Sequence, residues 1–290
     1  MRYLDSFKLA TESEESGFVL SDIKLWMSCY SDNVYPFKVF PPKKLVRLDF
    51  EDVTFLCGSN GSGKSTLLNV IAQKLELMRS APFNNTPYFT DYLGFCEFEA
   101  RHGGIPKGSR IITSDEVFDF LLDIRSVNEK IENRREQLFD EYLAAKNTPF
   151  RMRTLEDYEE FKRHNEAKRS TMNAYTVRRL PDELYGKSNG ESAFSYFTSV
   201  VKENALYLLD EPENSLSVKL QEKLLEFIAD SARFYRCQFI ISTHSPFLLS
   251  MKGAKIYDMD SLPVKECRWT EIESVRESYD FFKSHSSDFD

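Results

Sequence analysis

Two short segments of this sequence contain residue types that bind phosphate and activate water. The first, Gly58-Ser59-Asn60-Gly61-Ser62-Gly63-Lys64-Ser65, matches the pattern GxxxxGK(S/T) at every fixed position. Its glycines allow backbone N–H groups to surround a phosphate, and a helix that follows adds its positive end. We expect Lys64 to reach the β- and γ-phosphates and Ser65 to coordinate Mg²⁺. The predicted phosphate-binding residues are Gly58, Asn60, Gly61, Ser62, Gly63, Lys64, Ser65 and Thr66.

The second segment is a pair of carboxylates, Asp210 and Glu211, at the end of the apolar run 205–209. Such a run predicts a buried strand, and ligands of open α/β sheets bind at the carboxyl ends of strands. Asp210 is placed to hold Mg²⁺, and Glu211 is placed to polarise an attacking water. Adjacent carboxylates also occur in solvated turns. The phosphate-binding pattern in the same chain favours the functional interpretation.

The elements that must position these residues are short strands alternating with helices. We predict strands at 18–25, 45–50, 53–57, 92–98, 111–112, 205–209, 238–242 and 255–259. We predict helices at 65–78, 114–122, from about 192 to 202, at 217–233 and at 270–283. This alternation is typical of an α/β fold with a mostly parallel sheet and flanking helices. The early strands predict an N-terminal antiparallel β layer.

Residues 125–180 are charged and contain no glycine, with one break at Asn147-Thr148-Pro149. We predict a helical-hairpin insertion within a single domain that spans 1–290. Its second half carries basic residues interleaved with acidic ones: Lys162, Arg163, Lys168, Arg169, Arg178 and Arg179, against Glu156, Asp157, Glu159, Glu160 and Glu166. A nucleic-acid contact and a solvated helix surface are both consistent with this pattern.

The composition excludes several classes of protein. The net charge of −8 means that the overall field does not attract nucleic acid. The five cysteines, Cys29, Cys57, Cys96, Cys237 and Cys267, form no CxxC pair, which favours a reducing cytoplasm over a disulfide framework or a zinc site. No apolar run approaches the roughly 18 residues of a transmembrane helix, so we predict a cytoplasmic chain with no membrane segment of its own.

The two motifs, together with Ser242-Thr243-His244-Ser245-Pro246 after the next strand, resemble those of ABC-type ATPases. They are most similar to small predicted ATPases of the AAA-21 type, relatives of the RecF, SMC and OLD heads. The resemblance covers the chain on both sides of residues 80–180. It implies a P-loop NTPase fold of the ABC type and ATP with Mg²⁺ as ligands. It also implies a homodimer that closes head to tail on ATP, with Lys64, Glu211 and His244 as catalytic residues.

Two further loops take their expected roles from this resemblance. Ser188-Asn189-Gly190-Glu191 fits the S-x-GE form of the signature loop, which implies that Ser188, Gly190 and Glu191 contact the ATP of the partner. A plain helix cap explains the same four residues, and both interpretations can hold together. The segment 214–217 would be the interface loop that follows the acidic pair.

The chain departs from the family at one position, and the base contact is open. The family usually has a glutamine after the strand that leads to the insertion, but none occurs between Gln73 and Gln137. Ser114 or Asp115 takes that place by order. Tyr35 or Phe37 is the candidate platform for the base, although both are also expected as core aromatics.

The resemblance suggests an ATPase that controls a separate effector protein, such as a nuclease in a bacterial defence system. The alternatives are a DNA-repair or nucleic-acid-processing ATPase, the ATPase subunit of a transporter, and a switch that binds ATP but hydrolyses it slowly.

Overall fold

The computed structural model describes residues 2–21, 34–101, 103–149, 157–180 and 188–289. They form two compact units. The first comprises Met1–Val117 with Asn189–Asp290, and the second comprises Phe118–Ser188. No helix among the described residues is long and apolar enough to cross a membrane.

The central sheet of the first unit has six strands in the order β5-β6-β7-β3-β8-β9. These are β3 (Val53–Cys57), β5 (Arg110–Thr113), β6 (Leu206–Asp210), β7 (Gln238–Ser242), β8 (Lys255–Asp258) and β9 (Lys265–Glu266). All neighbours are parallel except β8 and β9. Every residue of β3 and β7 is buried, as expected for parallel strands covered on both faces. The predicted fold class is confirmed.

A second sheet, of three antiparallel strands, has the order β2-β1-β4. Its strands are β1 (Leu4–Lys8), β2 (Arg47–Asp49) and β4 (Glu97–Ala100). The side chain of Gln238 on β7 joins this sheet to the central one. Its Oε1 accepts hydrogen bonds from the backbone N–H groups of Tyr3 and Leu4 at 2.7 and 2.9 Å. This buried amide is satisfied by backbone groups, so it links the sheets without a desolvation penalty.

Helices complete both units. They are α1 (Glu12–Ser21), α2 (Lys64–Lys74), α3 (Phe89–Phe95), α4 (Ser114–Asn147), α5 (Tyr158–Arg169), α6 (Met172–Val177), α7 (Asn189–Val200), α8 (Val218–Phe234), α9 (Pro246–Leu249) and α10 (Glu273–Ser284). Helix α2 begins at the last fixed positions of the phosphate loop and contacts β5, β6 and β7. Leu224 and Ile228 are buried four residues apart, so one face of α8 packs toward β7.

One predicted strand is wrong over its described residues, and another is wrong over its first four residues. Residues 18–21 of the predicted strand 18–25 belong to α1, and its remainder lies outside the described residues. The reason is a capping box, since Thr11 N donates to Glu14 Oε2 at 2.8 Å and Glu14 N donates to Thr11 Oγ1 at 3.3 Å. In the predicted strand 92–98, residues 97 and 98 belong to β4. Residues 92–95 are helical because Phe89 and Tyr92, three residues apart, are both buried on one helix face.

The second unit is helical where it is described. Its small core contains Leu138, Tyr142, Ala145, Ala167 and Tyr175. The guanidinium of Arg179 lies 3.8 Å from the centroid of the Tyr175 ring and pairs with Glu166 at 2.6 Å. A basic residue of the predicted hairpin therefore stabilises this packing instead of projecting freely. Cys29 lies outside the described residues, and the other four cysteines are free thiols.

A buried carboxyl in α1 predicts pH-dependent stability. Glu15 is 4% exposed, accepts a hydrogen bond from Lys38 N at 2.7 Å, and burial raises its pKa from 4.5 to about 7. The stability that comes from its protonated form is complete below the unfolded pKa and is lost as pH rises through the folded pKa. The free energy of unfolding should therefore fall between pH 5 and pH 8.

We expect Glu15→Gln to remove about 3 kcal/mol of this decline, because each pKa unit corresponds to about 1.4 kcal/mol. Urea unfolding between pH 5 and pH 8 measures it. Glu226→Gln, on the exposed face of α8, is the matched control and should follow the wild-type curve. Parallel curves for all three proteins would contradict this role of Glu15.

Candidate nucleotide-binding site

The carboxyl ends of three neighbouring strands bring the predicted residues together. Strand β7 lies between β6 and β3, and Ser242 is paired with Asp210 on one side and with Leu56 on the other. The phosphate loop leaves β3, the acidic pair ends β6, and the histidine segment leaves β7. Parallel pairing therefore places all three motifs at one sheet edge.

The phosphate loop surrounds a cavity of about 440 Å³. Gly61 and Gly63 have φ of 81° and 91°, a conformation that favours glycine, and a Cβ on Gly63 would meet Val39 Cγ1 at 3.2 Å. The hydroxyl oxygen of Ser62 is buried and has no hydrogen-bond partner among the described residues. The cavity is lined by Val39, Asn60, Gly61, Ser62, Gly63, Lys64, Ser65, Thr66 and Glu211. A phosphate fits this cradle because it would supply the acceptor that the Ser62 hydroxyl lacks.

The hydroxyl of Ser65, which lines the cavity, contacts the carboxylate at the end of β6. Ser65 Oγ donates a hydrogen bond to Asp210 Oδ1 at 3.0 Å, and Ser242 Oγ donates to the same oxygen. Burial raises the pKa of Asp210, and the two hydroxyl donors oppose that rise. These hard oxygen donors suit Mg²⁺. Within the described part of the chain no three His, Cys, Asp or Glu residues cluster as metal ligands.

Lys64, His244 and Glu211 form a chain of polar contacts. His244 Nε2 lies 2.9 Å from Lys64 Nζ and 3.1 Å from Glu211 Oε1. One ring nitrogen serves only one of these contacts at a time, since it accepts from Lys64 when unprotonated and donates to Glu211 when protonated. Burial lowers the pKa of Lys64, while the charges of Glu211 and Asp210 oppose that change. The ammonium also donates to the carbonyl oxygen of Gly58 at 2.8 Å.

Glu211 is held on both carboxylate oxygens and has a strained backbone. Its Oε2 accepts a hydrogen bond from Asn214 Nδ2 at 3.1 Å, while Oε1 faces His244. Its φ of 49° lies in the left-handed region, which costs a non-glycine residue about 1–3 kcal/mol. Its backbone N–H bonds the carbonyl and hydroxyl oxygens of Ser242, each at 3.1 Å, which retains this conformation.

Three residues that support the site were not predicted from the sequence. Ser242 orients Asp210, and its place at the start of the histidine motif could have indicated this. Asp260, after β8, accepts hydrogen bonds from the backbone N–H and the hydroxyl of Ser59, and no local pattern connects the two residues. Glu213 contacts the histidine loop. These contacts hold the phosphate loop and the acidic pair in position.

The signature-like residues lie elsewhere. Gly190 and Glu191 are in the first turn of α7, Ser188 directly precedes that helix, and neither Gly190 nor Glu191 lines the cavity as described. A Cβ on Gly190 would meet Ser215 O at 3.1 Å and Leu220 Cδ1 at 2.8 Å. Gly190 thus packs closely against the loop that follows the acidic pair.

The sequence left two positions open: the aromatic platform for the base and the residue that takes the place of the missing glutamine. Phe37 is 3% exposed and stacks on Phe18 with ring centroids 5.1 Å apart, so it is a core residue. Burial raises the pKa of Tyr35, and the polar side chains of Thr66 and Asn69 on α2 oppose that rise. The segment 114–115 follows β5, whose Thr113 is paired with Asp210. It therefore starts at the same sheet edge.

Sheet order and site together define a P-loop nucleotide-binding fold of the ABC type. Residues 178–250 match the model of the AAA-21 family, described as "AAA domain, putative AbiEii toxin, Type IV TA system". This segment includes the signature-like loop, the acidic pair and the histidine motif. The resemblance inferred from the motifs is confirmed.

Solved structures similar to this chain are ATP-binding cassettes and SMC heads. The Smc head domain of Pyrococcus furiosus, bound to the C-terminal domain of ScpA, has 14% identity over 97% of this chain and 100% of its own, with a TM-score of 0.42. A nucleotide-free cassette from an ABC transporter has 16% identity over 81% and 87%, with a TM-score of 0.41. A dimeric bacterial ABC transporter cassette has 14% identity over 77% and 89%, with a TM-score of 0.39. No curated protein matches the sequence.

Proposed function

We propose that this chain binds and hydrolyses ATP with Mg²⁺, that two copies close head to tail around the nucleotide, and that closure controls a separate effector protein. The main support for this proposal is one set of contacts. Lys64, His244 and Glu211 form a polar chain at the cavity of the phosphate loop, beside the Ser65–Asp210 pair. Phosphoryl transfer depends on such positioning and charge stabilisation.

Each residue at the cavity has a chemical role in this proposal. The phosphate loop and Lys64 bind the β- and γ-phosphates, and Lys64 exchanges its contact with Gly58 O for phosphate oxygens. Ser65 and Asp210 hold Mg²⁺, which when bound neutralises charge on the phosphates. Glu211 orients the attacking water and accepts its proton. His244, beside Glu211, is positioned to donate a hydrogen bond to the γ-phosphate.

The second half of each site comes from the other copy of the chain. Ser188, Gly190 and Glu191 would approach the nucleotide of the partner, because the N-terminus of α7 offers backbone N–H groups to an anion. The dimeric ABC transporter cassette among the similar structures is consistent with such an arrangement. A segment at 114–115, at the end of β5, would replace the missing glutamine.

The effector is proposed from the family description, which names a toxin of a toxin–antitoxin system. A role in antiviral defence and a location in the cytoplasm are part of this proposal, and four free cysteines support a reducing compartment. The nucleic-acid alternative is weaker, because Arg179 and Lys162 pair with Glu166 and Glu159 at 2.6 and 3.0 Å.

Affinity purification of a Glu211→Gln variant from the native host with excess ATP tests the proposed control of an effector. A stoichiometric protein supports effector control, whereas nucleic acid alone contradicts it.

Replacement of Lys64 by alanine tests ATP binding directly. A hydrogen bond to a charged group contributes about 1.5–3 kcal/mol, so we expect ATP affinity to fall by about 10- to 100-fold and turnover to fall to background. Calorimetry and phosphate release measure the two effects. Lys252→Ala, at an exposed position, is the matched control. Failure of the wild type to bind ATP would overturn the proposal, and binding without turnover would indicate a slow switch.

A further inference from the structure

Three hydrogen bonds from the histidine loop end on one carboxylate oxygen. Glu213 Oε1 accepts from the backbone N–H groups of His244 and Ser245 at 2.6 and 3.2 Å, and from Thr243 Oγ1 at 2.7 Å. The segments that make these contacts are 30 residues or more apart in the chain. They leave neighbouring strands, β6 and β7. The loop after the acidic pair therefore holds the turn that carries His244.

The environment of this carboxyl is unusual for a purely stabilising contact. Its Oε2 is buried with no hydrogen-bond partner, and no cation pairs with Glu213 among the described residues. Burial raises its pKa, although the hydrogen bonds from His244 N and Thr243 Oγ1 oppose that rise. A buried acidic group without a cation costs stability compared with an apolar side chain. The role of Glu213 is therefore better explained by its hydrogen bonds to the backbone of the histidine loop than by a contribution to stability.

That backbone determines where the imidazole lies. The ring nitrogen of His244 is within 3.1 Å of both Lys64 Nζ and Glu211 Oε1, so a small displacement of the turn breaks one or both contacts. On its other side the turn is held by Ser245 Oγ, which donates to Gln221 Oε1 at 2.6 Å. Glu213 Oε1 accepts from the backbone N–H of His244, and it shares the N–H of Ser245 with Thr243 Oγ1, which lies 3.0 Å from that nitrogen.

We propose that Glu213 is the positioning residue of His244, so that loss of its three hydrogen bonds displaces the imidazole and slows ATP hydrolysis without removing a catalytic group. The inference rests on the proposed function of His244. It assigns distinct tasks to two carboxylates of one loop: Glu211 faces the cavity and Glu213 faces the histidine turn.

Kinetics of five proteins test this proposal: the wild type, Glu213→Ala, Glu213→Gln, His244→Ala and the double variant Glu213→Ala/His244→Ala. Misplacement of a group near the chemistry by about 1 Å costs up to about 100-fold, so Glu213→Ala should lower kcat by about 10- to 100-fold. The ATP affinity should change little. Glu213→Gln should retain most activity, because an amide oxygen accepts the same hydrogen bonds. The double variant should be no slower than His244→Ala.

Several results would overturn the proposal. Multiplicative losses in the double variant would show that Glu213 acts independently of His244. Equal inactivity of folded Glu213→Gln and Glu213→Ala would show that charge, not hydrogen bonding, matters. Glu222→Ala, an exposed glutamate on α8, is the control. If Glu213→Ala does not fold, Thr243→Val removes one of the three hydrogen bonds, together with the one that Thr243 Oγ1 accepts from Ser245 N, and should give a smaller loss of kcat.

A failure of the proposed function is distinguishable from a failure of this inference. If the wild-type protein does not hydrolyse ATP, the proposed function is contradicted, but the positioning of His244 by Glu213 is not. The imidazole signal of His244 in NMR spectra, identified by its loss in His244→Ala, is then the readout. It should shift in Glu213→Ala and stay near its wild-type position in Glu213→Gln. An unchanged signal in both variants would refute the positioning role.

Discussion

Glu211→Gln is expected to bind ATP with Mg²⁺, to hydrolyse it at least about 100-fold more slowly than the wild type, and to accumulate as a dimer. General-base groups contribute about 100- to 10,000-fold to such reactions, and the amide does not accept a proton. Its amide has nearly the same shape as the carboxylate and fits the same place between His244 and Asn214. The nucleotide therefore stays intact between the two copies.

Phosphate release and multi-angle light scattering, each with and without ATP, measure these two effects. Glu226→Gln on the exposed face of α8 controls for loss of charge and should behave as the wild type. A monomeric Glu211→Gln protein at saturating ATP would refute head-to-tail closure. Full turnover in this variant would instead refute the assignment of the base.

The second large effect concerns Gly190. A side chain at this position would press on the backbone oxygen of Ser215 and on Leu220, so Gly190→Val must displace the signature-like turn. We expect it to bind ATP normally but to lose at least about 100-fold in turnover, because its damage lies in the half-site offered to the partner. Gly94→Val, where a Cβ meets nothing within 4 Å, is the matched control.

Mixing two inactive variants separates this trans effect from misfolding. In a mixed dimer of Gly190→Val and Lys64→Ala, one site combines both defects and the other contains neither. Random exchange makes half of the dimers mixed, so about a quarter of the wild-type activity should return. No recovery after mixing, with both variants folded and dimers exchanging, would contradict a site shared between copies.

Local sequence patterns were sufficient to predict the fold class and most of the elements, and to indicate the candidate chemistry. The phosphate motif, the acidic pair and the histidine motif each follow a run of β-forming residues, and a buried parallel strand leaves this mark in any context. Thus β7 has the predicted bounds, Gln238–Ser242, and β3 has the predicted bounds, Val53–Cys57. The order of these motifs also suggested a common sheet edge.

The N-terminal region was predicted less well because its signals are ambiguous at short range. Apolar residues at 18–20 suit a strand or a helix, and the capping box at Thr11 and Glu14 decides for the helix. Likewise Phe37 was equally suitable for a base platform and for the core. Its stacking on Phe18 depends on an element that is distant in sequence.

Only the tertiary structure decided which side chains support the site. Ser65 and Asp210 are 145 residues apart, and Ser59 and Asp260 are 201 residues apart, yet each pair is hydrogen bonded. Strand order and register bring such residues together, and neither is encoded in the local pattern of any single segment. The residue types at each strand end therefore indicated a candidate chemistry, which stays a prediction. Glu213, Ser242 and Asp260 acquire their roles from the pairing of distant strands and from the loops that those strands place side by side.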